Sequence, residues 1–203
     1  MIHLSGLDSN IYVVGKDTIV DTGTGFNFVR LYDLFKRMGA DFDSIKTIIN
    51  THMHFDHVGG NKFFENAKVL AHELDAPHME KGNPENTCAS FFGGEMKPMS
   101  VDQKLKEGDL INGLKVIHTP GHTKGSICLY DEKNKILLSG DTIFADGVGR
   151  TDLPGGSEDD LEKSLERLAT MDIAKILPGH GEPIMKDGKK QLEKIYENVS
   201  DIH

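Results

Sequence analysis

The sequence predicts an α/β protein forming a single domain over residues 1–203. Three observations carry that reading. A length of 203 residues suits one large α/β domain and is short for two. Short β-type runs recur along the chain, and several end in a polar loop that carries His or Asp. Amphipathic stretches at helical spacing lie between them or follow them.

The elements follow in order. Ile11–Val14 and Thr18–Val20 flank Gly15-Lys16-Asp17 and read as a hairpin. Asp21-Thr22-Gly23 ends the second strand. Phe28, Leu31, Tyr32, Phe35 and Met38 then predict a helix over about 26–38, with Gly39 placed to stop it. Residues 80–100 are rich in Gly, Pro, Asn and Met and read as a long loop, a mobile rim. Leu161, Leu165 and Leu168 share a face of a helix over about 158–169. Leu192, Ile195, Tyr196 and Val199 do the same over about 187–199. Both stripes are narrow, as in helices that cover a sheet from outside.

Bulk properties exclude several classes. A net charge of −9 is a poor start for gripping a phosphate backbone, so no nucleic-acid partner is expected. No run approaches a membrane span, and the N-terminus MIHLSGLDSN lacks the basic and apolar regions of a signal peptide. Cys88 and Cys128 show no CxxC spacing and read as two reduced thiols. The expected setting is cytoplasmic and the expected partner a small-molecule substrate. The oligomeric state is not encoded legibly.

One arrangement repeats. Lys46-Thr47-Ile48-Ile49 leads into Thr51-His52-Met53-His54-Phe55-Asp56-His57, and Leu114–His118 into Thr119-Pro120-Gly121-His122. Ile136-Leu137-Leu138 leads into Ser139-Gly140-Asp141, and Lys175-Ile176-Leu177 into Pro178-Gly179-His180. Four strands thus deliver metal-capable side chains at their carboxyl ends.

Within the first loop, His52 and His54 at i and i+2 of an extended end point to one side and can grip one ion. A turn after His54 would let Asp56 and His57 face a second. Three imidazoles and a carboxylate so close would be hard to bury without a cation. An imidazole–carboxylate set suits zinc foremost, with iron or manganese as alternatives, over calcium or magnesium. Two catalytic sites with open positions need about six ligands, or five with a bridging carboxylate. His52, His54, Asp56, His57, His122, Asp141 and His180 meet that count. His52, His54 and His122 are assigned to one ion, Asp56, His57 and His180 to the other, and Asp141 to the bridge. His118 reads as a strand end, and His72 as a residue that no loop aims. His3, His78 and His203 carry no pattern. Ser126 and Ser139 lack a nucleophile-elbow context.

At these residues the sequence resembles the metallo-β-lactamase superfamily. Asp21-Thr22-Gly23, the His52–His57 cluster, Pro120-Gly121-His122-Thr123, Ser139-Gly140-Asp141-Thr142 and Pro178-Gly179-His180-Gly181 occur in that family's order. The resemblance implies a four-layer αβ/βα sandwich of two mixed sheets flanked by helices. Gly140–Phe144 followed by Gly149-Arg150-Thr151-Asp152-Leu153-Pro154-Gly155-Gly156 is similar to the short glyoxalase II-like (hydroxyacylglutathione hydrolase-like) proteins. Thioester hydrolysis through a metal-bridging hydroxide is the activity implied, with Asp56 orienting the nucleophile as well as binding metal. Full-length glyoxalase II adds a helical domain that supplies much of the glutathione site, whereas here only Asp187–His203 follows the last ligand loop. Lys186, Lys189, Lys190 and Tyr196 read foremost as a solvated helix face, and Arg150–Asp152 as a loop clasp. The rival reading is an iron persulfide dioxygenase, whose ligands would correspond to His54, His122 and Asp141. A lactonase, a nuclease or a non-catalytic metal-binding domain ranks lower.

Overall fold

The computed structural model describes residues 1–200; His203, which carries no pattern in the sequence, lies outside them. The chain packs as two compact units, Met1–Leu105 and Lys106–His203.

The first unit opens with the expected hairpin. β1 (Tyr12–Val14) pairs antiparallel with β2 (Thr18–Val20), and Gly15 turns at φ +64°. β3 (Thr47–Ile49), β4 (Lys68–His72) and β5 (Gln103–Leu105) then add in parallel, giving the order β1-β2-β3-β4-β5. α1 (Phe28–Arg37) buries Leu31 and Phe35 in a cluster with Ile19 and Ile48 of the sheet. It stops in a Schellman motif. Gly39, at φ +68°, donates to the Lys36 carbonyl, and Ala40 donates to that of Phe35.

Two short helices complete this unit. α2 (Phe55–Val58) follows the extended His54, so the chain does turn after that residue. α3 (Ala76–Lys81) corrects the reading of residues 80–100 as one long loop. Its last two residues are helical, and a 3-10 turn covers Ala89–Phe92. Gly82, one of the glycines that read as loop, serves instead as helix punctuation. Pro77 sits in the first turn of α3, and Gly82 closes it at φ +61°. The segment is also anchored. The Phe55 N–H donates to the Thr87 carbonyl, and Gly94 lies so close to the Phe55 ring that a Cβ there would come within 2.3 Å.

In the second unit β6 (Leu110–Ile111), β7 (Leu114–His118), β8 (Ile127–Asp131) and β9 (Ile136–Gly140) form an antiparallel meander. β10 (Lys175–Pro178) returns parallel to β9, giving the order β10-β9-β8-β7-β6. The parallel return needs a crossover, and α4 (Glu158–Ala169) provides it. Ser157 caps α4 by accepting the Asp160 N–H, and three acidic residues occupy its first turn. α5 (Gly188–Ser200) follows β10. Leu161, Leu165 and Leu168 of α4 and Leu192 and Ile195 of α5 share a buried cluster with Leu137 and Ile176 of the sheet. Among the described residues no helix is long and apolar enough to cross a membrane.

Candidate metal centre

The first unit gathers His52, His54, Asp56 and His57 at the carboxyl end of β3. All four are buried. One ring nitrogen of His52 lies within 4.8 Å of one on His54 and of one on His57. Asp56 Oδ2 stands 3.6 Å from His57 Nε2. The second unit gathers the other three predicted ligands. Asp141 Oδ2 is 3.6 Å from His122 Nε2 and 3.7 Å from His180 Nε2. One carboxylate oxygen thus faces two imidazoles, the placement a bridging ligand needs.

These separations test whether the residues fit a metal. A His nitrogen and a carboxylate oxygen, each roughly 2.0–2.2 Å from one tetrahedral ion, lie roughly 3.4 Å apart. That is longer than a good hydrogen bond and close to all three His–carboxylate spacings observed. The donor set, imidazoles of which all but the half-buried His180 are buried, with carboxylates and no thiolate, fits zinc or iron.

Outer contacts fix the rings. His57 Nδ1 donates to Asp21 Oδ2 at 2.8 Å, which leaves Nε2 as the ligating atom. Asp21 also accepts the Thr51 N–H at 2.9 Å and hydroxyl at 2.8 Å, so one carboxylate holds both ends of the loop from Thr51 to His57. His122 Nδ1 donates to the Arg150 carbonyl at 2.7 Å, again freeing Nε2. The carbonyl of His57 receives the Thr22 N–H at 2.9 Å, with the Asn50 amide at 3.3 Å. Asn61 locks Asn50 and Thr22 in turn, donating to the Asn50 side chain at 2.7 Å and accepting from the Thr22 hydroxyl at 2.8 Å.

Glycines allow this closeness. A Cβ on Gly60 would come within 2.2 Å of the Thr22 carbonyl, and one on Gly149 within 1.8 Å of the Asp141 carbonyl and 3.1 Å of His122 Nδ1. Arg150 and Asp152 form the expected bidentate clasp, at 2.9 and 2.8 Å, in the loop whose backbone supports His122.

The sequence reading missed Asp21, Thr51, Asn50, Asn61 and the Arg150 carbonyl as supports. Asp21 carries a visible signal, since Asp21-Thr22-Gly23 follows a strand as the other ligand loops do. The Arg150 contact has none, because a carbonyl acts there whatever the side chain. His118 ends β7, and His72 ends β4 buried.

Residues 4–180 match the metallo-beta-lactamase superfamily, a span that includes all seven predicted ligands. A probable metallo-hydrolase of Methanocaldococcus jannaschii is 39% identical over 193 residues, covering 87% of this chain and 89% of that protein. An acyl-coenzyme A thioesterase of Gallus gallus is 31% identical over 206 residues, covering 87% of this chain and 73% of that one. A hydroxyacylglutathione hydrolase of Maricaulis maris is 36% identical over 135 residues, covering 63% of this chain and only 44% of its own length. A protein solved crystallographically in a di-iron-bound form superposes with a TM-score of 0.77 at 32% identity, covering 90% of this chain and 92% of that one. The two mixed sheets with their helices are those of the metallo-β-lactamase fold. The chain belongs to the metallo-β-lactamase superfamily of metallo-hydrolases.

Proposed function

We propose that this chain hydrolyses a thioester, with His52, His54, Asp56, His57, His122, Asp141 and His180 serving one two-metal centre. The observation that carries the reading is the three His–carboxylate separations of 3.6, 3.6 and 3.7 Å, each set by a ring whose Nε2 points to its carboxylate. The family match spans both ligand sets, and two relatives are thioester hydrolases by name.

Divalent cations held by these residues would polarise the acyl carbonyl and make water acidic enough to attack near neutral pH. The chain's own contribution is position and proton transfer. Asp21 and the Arg150 carbonyl hold His57 and His122 with Nε2 free. Asp141 presents one oxygen to two imidazoles. Asp56 would orient the attacking water and take its proton, returning it to the departing thiolate as the C–S bond breaks. No covalent acyl-enzyme is required.

The test is a substrate panel on metal-analysed protein. It comprises hydroxyacyl thioesters of coenzyme A and of glutathione, a lactone, a phosphodiester, and a persulfide with oxygen monitoring. Thioester turnover that disappears on chelation and returns with zinc or iron is expected. Oxygen consumption with the persulfide and no thioester turnover would overturn the reading in favour of an iron dioxygenase.

A further inference from the structure

The second unit carries a groove of about 740 Å³ beside α5 that the proposed reaction does not use. Lys190 and Lys194 line it one turn apart on α5, and Lys186 lines it from the segment just before the helix. All three are exposed, and none comes within ion-pair distance of a carboxylate among the described residues. Asp187, Glu193 and Glu197 share the lining, but Glu193 is engaged by Lys189 at 3.9 Å. The lining thus holds three lysines and three carboxylates, and with Glu193 engaged by Lys189 the three lysines face two remaining carboxylates, in a chain whose net charge is −9. A local positive surplus on an acidic protein is a place where an anion can dwell.

The groove is tied to the metal-ligand loops of the same unit. Its wall residue Ala145 lies four residues after Asp141, and Gln191 of α5 holds the Ala145 carbonyl at 2.9 Å. Phe144, next to Ala145, sets its ring edge toward His180, with centroids 6.2 Å apart. A second wall residue, Ile184, lies four residues after His180 and bridges back to Ile176 of β10. The same two loops therefore present ligands at one end and groove wall at the other.

We infer that the Lys186–Lys190–Lys194 groove binds the phosphate groups of the substrate's thiol carrier. The carrier class is then a phosphorylated one of the coenzyme A type, and not glutathione. Lysine suits this task as a mobile point charge that follows a flexible polyphosphate. The pantetheine arm separates such phosphates from the scissile thioester, so they would dock away from the metal ligands. This inference rests on the thioesterase reading, and the experiment separates the two.

The metal-loaded protein is assayed with one acyl group on coenzyme A, on 3′-dephospho-coenzyme A and on pantetheine. The readout is the ratio of kcat/KM between the coenzyme A and pantetheine esters, which cancels any general loss of activity. Three exposed lysine–phosphate contacts should give a preference of about tenfold for the coenzyme A ester, expressed in KM. It should shrink in K186E/K190E/K194E and with rising salt. A ratio near one in the wild type, or a ratio unchanged by the triple substitution, overturns the inference while the thioesterase reading stands. No turnover of any of the three esters overturns the thioesterase reading. Calorimetric titration with free coenzyme A then decides the groove separately. Binding weakened by the triple substitution supports it, whereas no binding, or equal affinity for inorganic pyrophosphate, refutes a carrier-specific site.

Discussion

Asp21 Oδ2 accepts the Nδ1 proton of His57 at 2.8 Å, across 36 residues of sequence. Asp21 holds a left-handed backbone at φ +58°, where Asp and Asn are tolerated better than most residues. Asp21→Asn should therefore keep the fold but replace an ionised acceptor with an amide that cannot orient His57 as firmly. A loss of about 10–100-fold in metal affinity is expected, with little change in Tm of the metal-free protein. Chelator-competition titration measures it, and wild-type affinity in a folded Asp21→Asn would remove Asp21 from its assigned role.

Direct ligand loss should be more severe. His54→Ala or Asp56→Ala is expected to lower bound metal and thioester turnover together, by about 100-fold or more in kcat/KM. Metal analysis on the assayed sample makes the comparison. Turnover persisting in a metal-free variant would exclude the proposed chemistry.

Gly149 tests the backbone support of the second ligand set. Its φ is not in the left-handed region, so Gly149→Ala acts through space alone. The added methyl would meet the Asp141 carbonyl at 1.8 Å, which forces the loop away from Asp141 and His122. Reduced metal stoichiometry is the expected result. A destabilisation of about 1–3 kcal/mol should accompany it in urea titration.

Asp8 gives a pH prediction outside the ligand set, although the N–H of its neighbour Ser9 donates to the Asp56 carbonyl at 3.1 Å. Burial pushes its carboxyl up, but hydrogen bonds from the Thr24 hydroxyl, Ser5, the Thr24 N–H and Asn27 outweigh burial and hold the pKa below 3.8. The stabilisation from the ionised group is thus complete above that ordinary value. It is lost as pH falls below 3.8 through the depressed folded value. Asp8→Ala should cost about 1–3 kcal/mol at pH 7. The gap between wild type and variant should narrow on acidification, and urea melts at pH 7 and pH 3 read it.

Cys128 should be chemically silent in the folded protein. Burial raises its thiol to about 11, against hydrogen bonds with Thr119 and Thr142 that act in the opposite direction. Thiolate is the reactive form, so alkylation at pH 8 should modify Cys128 only after denaturation. Mass spectrometry of the native and unfolded protein decides this, and labelling of native Cys128 would count against its burial.

The sequence by itself determined the strands that end in ligand loops and the side chains they deliver. An apolar run followed by His or Asp is a local pattern, and spacing alone lets His52 and His54 share a side. The α4 and α5 stripes were legible for the same reason, whereas the turn after His54 was only a condition of the two-ion arrangement. Residues 80–100 were misread because Gly and Pro mark both loops and the ends of short helices, and packing against Phe55 chose between them. Only the tertiary structure decided which groups hold the ligands. Asp21 reaches His57, and the Arg150 carbonyl reaches His122 over 28 residues. Such contacts have no period, and a backbone carbonyl has no residue type, so they exist only once the chain has closed around them.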